Sequence, residues 1–148
     1  MVFRKAEACD AEEIFALYRS VLGMPFCTWN EFYPGRLELE TDLAAGTLFL
    51  LEQNGAISGV ISIVPENELD DLSCWRVREN AREFARVVIA PELQGRGLSR
   101  FLVEGIEQEL RKRSCSAIHI SVAKKNTPAQ RLYEQPQFVR TAQKVPPM

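Results

Sequence analysis

The spacing of apolar residues changes period along the chain, and each change predicts an element. Residues 2–5 suggest a short first strand. A period of three to four follows, with Ile14, Leu17, Tyr18, Val21 and Leu22 forming one helical face. Asp10, three residues before Glu13, reads as a capping box at its start, and Gly23 with Pro25 stops it. A second helix is expected over residues 35–45, closed by Gly46. The run TLFLLEQNGAISGVISIV then places two strands around Asn54 and Gly55, both residues tolerating the positive φ of a tight hairpin.

Residues 65–81, rich in charge and turn formers, read as a long connection. FARVVIA, residues 84–90, is the candidate central strand, because three successive β-branched residues suit a pleat buried on both faces. Pro91 ends it. Leu98, Leu102, Ile106 and Leu110, with Phe101 beside them, predict an amphipathic helix whose RKR tail suits the negative end of the helix dipole. Alternation of Ile118, Ile120 and Val122 gives a strand over 117–123. Thr127 and Pro128 open a short helix, and residues 138–140 can form a last strand. The order is β-α-α-β-β-β-α-β-α-β in a single domain over residues 1–148, without repeats or low-complexity tracts.

Between the central strand and the amphipathic helix lies QGRGLS, residues 94–99. A Gly-rich turn opening a helix exposes unpaired N–H groups and the positive dipole end, which together hold phosphate. The GxxxxGK[ST] loop of nucleotide triphosphatases is absent from the chain. A GxGxxG dinucleotide fingerprint starting at Gly95 and Gly97 fails at Arg100, and no βαβ unit carries it. On its spacing alone the loop is either a phosphate site or only a turn.

Composition narrows the partners. With 18 Lys+Arg against 20 Asp+Glu, the net charge of −2 gives no general attraction to nucleic acid or acidic membrane, so phosphate binding must be local. No apolar run approaches the ~20 residues that cross a bilayer. Four scattered cysteines form no CxxC pair, which argues against a zinc site and for thiols in a reducing, cytoplasmic setting. We expect no metal, no nucleic acid and no membrane partner.

The strand RVVIAP, the loop QGRGLS, its helix, Asn126 after the next strand and the segment AQRLYEQPQF together resemble the GCN5-related N-acetyltransferases, a family of α/β (α+β) fold. Its central sheet is mixed and mostly antiparallel, with helices on both faces. The family's phosphate pattern, Gln/Arg-x-x-Gly-x-Gly/Ala, is matched by Gln94, Gly95, Arg96, Gly97 and Leu98, with Ser99 in the last small-residue place. The resemblance spans residues 82–140 by motif and nearly the whole chain by element order. It departs at Gln135-Pro136-Gln137-Phe138, where the family often has Leu-Gly-Phe.

That resemblance implies acetyl-CoA as co-substrate. The backbone from Gln94 to Arg100 would hold its pyrophosphate. Val87, Val88 and Ile89 would pair with the two pantetheine amides as an added strand does, and Asn126 would help to hold the cofactor. A backbone N–H near Val88 would face the oxyanion. Arg96, Arg100, Lys124, Lys125 and Arg131 are either partners for the CoA phosphates or solvated surface charge.

Acetyl transfer to an amine needs a neutral amine, an oxyanion donor and a proton for the departing thiolate. Tyr133 stands where the family carries its tyrosine, and a phenol of pKa ~10 is matched to a thiol of ~8.5. Glu83 stands where histone-acetylating members place a glutamate. At ~4.3 it faces an amine of ~10.4, so it works through water or with a strongly raised pKa, or is simply a solvated or ion-paired strand-end residue. Taking the neutral amine from solution at pH 7 costs about 4.6 kcal/mol. His119, the lone histidine, reads as a strand residue.

The acceptor, a primary amine of a small molecule or peptide, is expected against the unshared segments 28–34 and 65–81. These carry both tryptophans, Trp29 and Trp75, together with Tyr33 and the acidic run ENELDD. Acid beside aromatic faces attracts a cationic amine. A module of the same fold that binds acyl-CoA without turning it over is the alternative, and a homodimer is compatible with either.

Overall fold

The computed structural model describes residues 1–25, 27, 29–64, 81–113 and 117–119. Strand β1 (Val2–Lys5) leads into a one-turn 3-10 helix (Ala8–Asp10) and helix α1 (Ala11–Ser20). Helix α2 (Arg36–Ala45), strands β2 (Leu48–Gln53), β3 (Ala56–Val64) and β4 (Ala81–Ile89), helix α3 (Leu98–Lys112) and strand β5 (Ala117–His119) follow. The sheet order is β1-β2-β3-β4-β5, antiparallel except for the parallel pair β4 with β5. This is the mixed, mostly antiparallel sheet expected, in the expected order. The last helix and strand, from residue 120 onward, fall outside the described residues, as do residues 65–80.

Helices cover both faces of the sheet. Ile14, Leu17 and Tyr18 of α1, Val21 just after it and Leu39 of α2 pack on Leu48, Leu50, Val60 and Val88. On the other face Leu98, Leu102, Val103, Ile106 and Leu110 of α3 pack on Phe49, Leu51, Ile61, Ile63, Phe84 and Ile89. Alternation along β2 and β3 explains the division, since successive side chains enter opposite cores. Each fully buried side chain of this size contributes about 1.5–3 kcal/mol. Phe101 stands beside the α3 stripe, half exposed. The hairpin turns at Asn54 and Gly55 with φ of 52° and 80°, the positive pair its sequence requires. Gly46 closes α2 in the left-handed region.

Two local expectations need correction. Asp10 and Glu13 do not form a capping box. The Asp10 carboxylate is taken by the Arg4 guanidinium at 2.9 and 3.0 Å and by the Glu7 N–H at 2.8 Å, so it braces the 3-10 turn against β1. Glu13 instead accepts the Ile57 N–H at 2.7 Å. The central strand starts at Ala81 rather than Phe84, so the expected connection ends one residue earlier than read. Arg82 and Glu83 break the apolar pattern, but the backbone ladder to β5, Ala81 with Ala117 through Glu83 with His119, pairs them whatever their side chains.

Candidate active site

The sequence placed most of the chemistry on β4 and the loop after it, and the structure makes these one continuous surface. β4 is not a regular strand. Val60 of β3 faces Val88, but Ser62 faces Ala85, so Arg86 and Val87 together oppose the single residue Ile61. Arg86 has φ of 52°, a left-handed conformation that a non-glycine residue rarely adopts. This is a β-bulge, which kinks its strand and leaves a residue out of the ladder. Among the described residues the ladder to β5 spans only Ala81, Arg82 and Glu83, and Val87, Val88 and Ile89 lie beyond it. Val88 and Ile89 are buried and Val87 is half-buried, so these side chains pack while the backbone is what a ligand could read.

Past Ala90 a single 3-10 turn (Pro91–Leu93) delivers the glycine loop. Gly95 and Gly97 both have φ of 79°, and Gly97 is the N-cap of α3. Among the described residues, a Cβ at either position would meet nothing within 4 Å, so no described side chain fills the space before the helix on that side. The first-turn N–H groups of an α-helix lack intrahelical partners. With Leu98 buried, Ser99 half-buried and Gln94, Gly95, Arg96, Gly97 and Arg100 exposed, the loop and first helical turn present glycine backbone and two arginines at the surface. The chemistry suits a diphosphate. The Gln94 side chain turns back, its amide donating to the Ile89 carbonyl at 3.1 Å and lying 3.8 Å from the Met24 sulfur. Gln94 thus ties the loop to the end of β4 and to the chain after α1.

A polar cluster underlies the bulge on the α1/α2 face. Asp42 of α2 receives Arg86 Nε at 2.8 Å and Nη2 at 2.7 Å, and Ser62 Oγ at 2.8 Å. Arg86 Nη1 donates to the Tyr33 hydroxyl at 3.1 Å. Burial opposes the charge on Arg86, yet the Asp42 pair outweighs it and raises the guanidinium's pKa. Tyr18 is 1% exposed, and burial, then the Asp42 charge, pushes its pKa up.

The expected acceptor residues separate. Tyr33 is exposed and held by Arg86, next to Val87 in the chain. Trp29 is half-buried and packs edge-on against Tyr18, ring centroids 5.6 Å apart, so one side of it belongs to the core. Glu83 lies four residues before Val87 on β4, half-buried, with its Oε2 shielded from solvent. Tyr133, Asn126 and Trp75 lie outside the described residues.

Sequence reasoning missed Asp42, Arg86 and Gly59. Arg86 was visible as a charge inside an apolar run, and Asp42 as an acid three residues after Leu39 on the buried side of α2. Gly59 faces the junction of β4 and α3, where a Cβ would come within 2.7 Å of Ile89 Cδ1 and 3.1 Å of the Val88 carbonyl oxygen. No helix among the described residues is long and apolar enough to cross a membrane.

Solved structures share this fold. A ribosomal-protein-alanine N-acetyltransferase from Brucella melitensis superposes with a TM-score of 0.71 at 20% identity, covering 89% of this chain and 80% of that one. The yncA protein of Salmonella typhimurium, solved with acetyl-CoA as its cofactor, gives 0.70 at 22% identity over 90% and 76%. An aminoglycoside 6'-N-acetyltransferase from Acinetobacter haemolyticus gives 0.74 at 14% identity over 100% and 97%. No protein of curated function matches the sequence. Residues 11–137 match the acetyltransferase (GNAT) family, and with most of its length inside that match the chain belongs to that family of acyltransferases.

Proposed function

We propose that the protein transfers the acetyl group of acetyl-CoA to a primary amine of a small molecule or peptide, by direct attack in a ternary complex. The observation that carries this is the continuity of the bulged strand β4 with an open, doubly left-handed glycine loop at the head of α3. Similar folds include one solved with acetyl-CoA and others named for aminoglycoside and ribosomal-protein acetylation, which supports both the co-substrate and the range of acceptors.

In this reading the N–H groups around Gly95, Gly97 and the first turn of α3 bind the pyrophosphate, with Arg96, Ser99 and Arg100 at the rim. Backbone groups of Val87, Val88 and Ile89 align the pantetheine arm, and Asn126 assists. An N–H near Val88 stabilises negative charge as it develops on the thioester oxygen, the type of contact worth about 10²–10³ in rate. Glu83 takes a proton from the amine through water, and Tyr133 gives one to the departing sulfur. Tyr33, Trp29 and Trp75 offer aromatic faces to the acceptor.

The test is calorimetry with acetyl-CoA, then thiol release with a panel of amines, peptides and polyamines. Binding with release by at least one amine is expected. Binding and a raised melting temperature with no release from any amine would convert the reading to a non-catalytic acyl-CoA module. Gly97→Val should abolish acetyl-CoA binding in a folded protein, because a β-branched residue cannot hold φ of 79° and its side chain enters the phosphate space. Tyr133→Phe should lower turnover roughly 10²-fold with little change in cofactor affinity.

A further inference from the structure

We infer that Asp42, a residue of α2 distant in sequence from β4, is a positioning residue for the cofactor strand. It acts by holding Arg86 in the left-handed conformation that makes the β4 bulge. The inference rests on the cofactor reading above and goes beyond it in naming what sets the strand's geometry.

Three observations converge on the Asp42 carboxylate. It is 5% exposed and receives three donors: Arg86 Nε, Arg86 Nη2 and Ser62 Oγ, all within 2.8 Å. Two of them come from the residue whose φ is 52°, and the third from the strand position opposite Ala85, at the edge of the register shift. The bidentate pair fixes both the position and the plane of the guanidinium. A non-glycine residue in this region is strained and persists only where surrounding contacts over-determine it. Without the pair, β4 gains by returning Arg86 to extended backbone. That would slip the register against β3 and move Val87, Val88 and Ile89 relative to the glycine loop. Nη1 of the same guanidinium reaches the Tyr33 hydroxyl, so the contact that shapes the cofactor strand also reaches the acceptor side.

The test uses the full chain and coenzyme A as probe, by titration calorimetry well below each variant's melting temperature. Asp42→Asn should weaken coenzyme A about tenfold, within the range that one strained left-handed residue can account for. Adding Arg86→Gly should restore affinity to within about threefold of the wild type, because glycine takes positive φ without help. Adding Arg86→Ala to Asp42→Asn should not restore it. Both double variants remove the two charges together and leave no buried ion unpaired, so the Gly-against-Ala contrast stands even if Asp42→Asn alone folds poorly. Equal affinity in the two double variants, or an unchanged affinity in folded Asp42→Asn, overturns the inference. A merely structural Asp42 would lower all three melting temperatures and leave affinity alone. Failure of the wild-type chain itself to bind coenzyme A overturns the cofactor reading and this inference with it.

Discussion

The two faces of the sheet are built from the same strands and hold apolar stripes of similar length, but they are fastened differently. Against α3, the buried cluster is hydrocarbon and aromatic throughout: Phe49, Leu51, Ile61, Ile63, Phe84 and Ile89 beneath five residues of the helix. Against α1 and α2, the apolar cluster is crossed by directional contacts. Arg4 pairs with Asp10 and Glu52, Glu13 binds the Ile57 N–H, and Asp42 gathers Ser62 and Arg86. The two acidic residues that are buried as whole residues among those described, Asp10 and Asp42, lie on this face, whereas Glu107 of α3 has only one carboxylate oxygen shielded. Dispersion and burial are nearly indifferent to angle, whereas a bidentate ion pair is not. The α3 face therefore supplies adhesion, and the α1/α2 face sets where particular backbone atoms point.

The contrast is open to experiment. The largest change in stability should come from the adhesive face. Ile106 is fully buried there, and Ile106→Ala should cost about 2–5 kcal/mol in urea denaturation while acetyl-CoA affinity of the folded protein stays as it was. A tenfold loss of affinity would mean that α3 packing also sets the cofactor geometry. Gly59→Ala probes the junction of the two regimes. Its Cβ overlaps Ile89 Cδ1 at 2.7 Å and presses on the Val88 carbonyl oxygen at 3.1 Å, so a stability loss of about 1–3 kcal/mol should come with measurably weaker acetyl-CoA binding. Stability loss without any change in binding would separate the two.

The smallest effect concerns acid. Hydrogen bonding from Arg4 holds the Asp10 carboxyl below its ordinary value, against the opposing effect of burial. Its contribution is therefore complete above the unfolded pKa near ~3.9 and disappears as pH falls through the lower folded value. The pair is partly solvated, so Asp10→Asn should cost at most about 1 kcal/mol at pH 7. The difference from wild type should close below pH 4. A constant gap from pH 7 to pH 2.5, read from urea midpoints, would show that charge at Asp10 is irrelevant to stability.

How far these features can be read from residues alone depends on their range. The Asn54-Gly55 hairpin, the α3 stripe and the Gly46 stop are local, each set by neighbours within a few positions, and each lies where its pattern predicts. The position of the glycine loop was legible for the same reason, since having no Cβ permits the positive φ that Gly95 and Gly97 adopt. Asp10 was misread because its partner is Arg4, brought near by β1 and not by helical spacing. The bulge was invisible for a stronger reason: FARVVIA suits a regular strand, and what bends it is a carboxylate 44 residues away. Long-range charge pairing leaves only an oddity in the local pattern, a lone arginine between Ala85 and Val87.

The hydrogen bond from Arg86 to the Tyr33 hydroxyl has a thermodynamic corollary. It joins the segment between α1 and α2 to the strand proposed to align acetyl-CoA. Binding linkage is reciprocal. An acceptor that draws the Tyr33 phenol away from Arg86 must alter acetyl-CoA affinity by the same factor by which acetyl-CoA alters its own. Order of addition in equilibrium titrations would then make no difference to the final state, and a single coupling constant would describe how each half of the site senses the other.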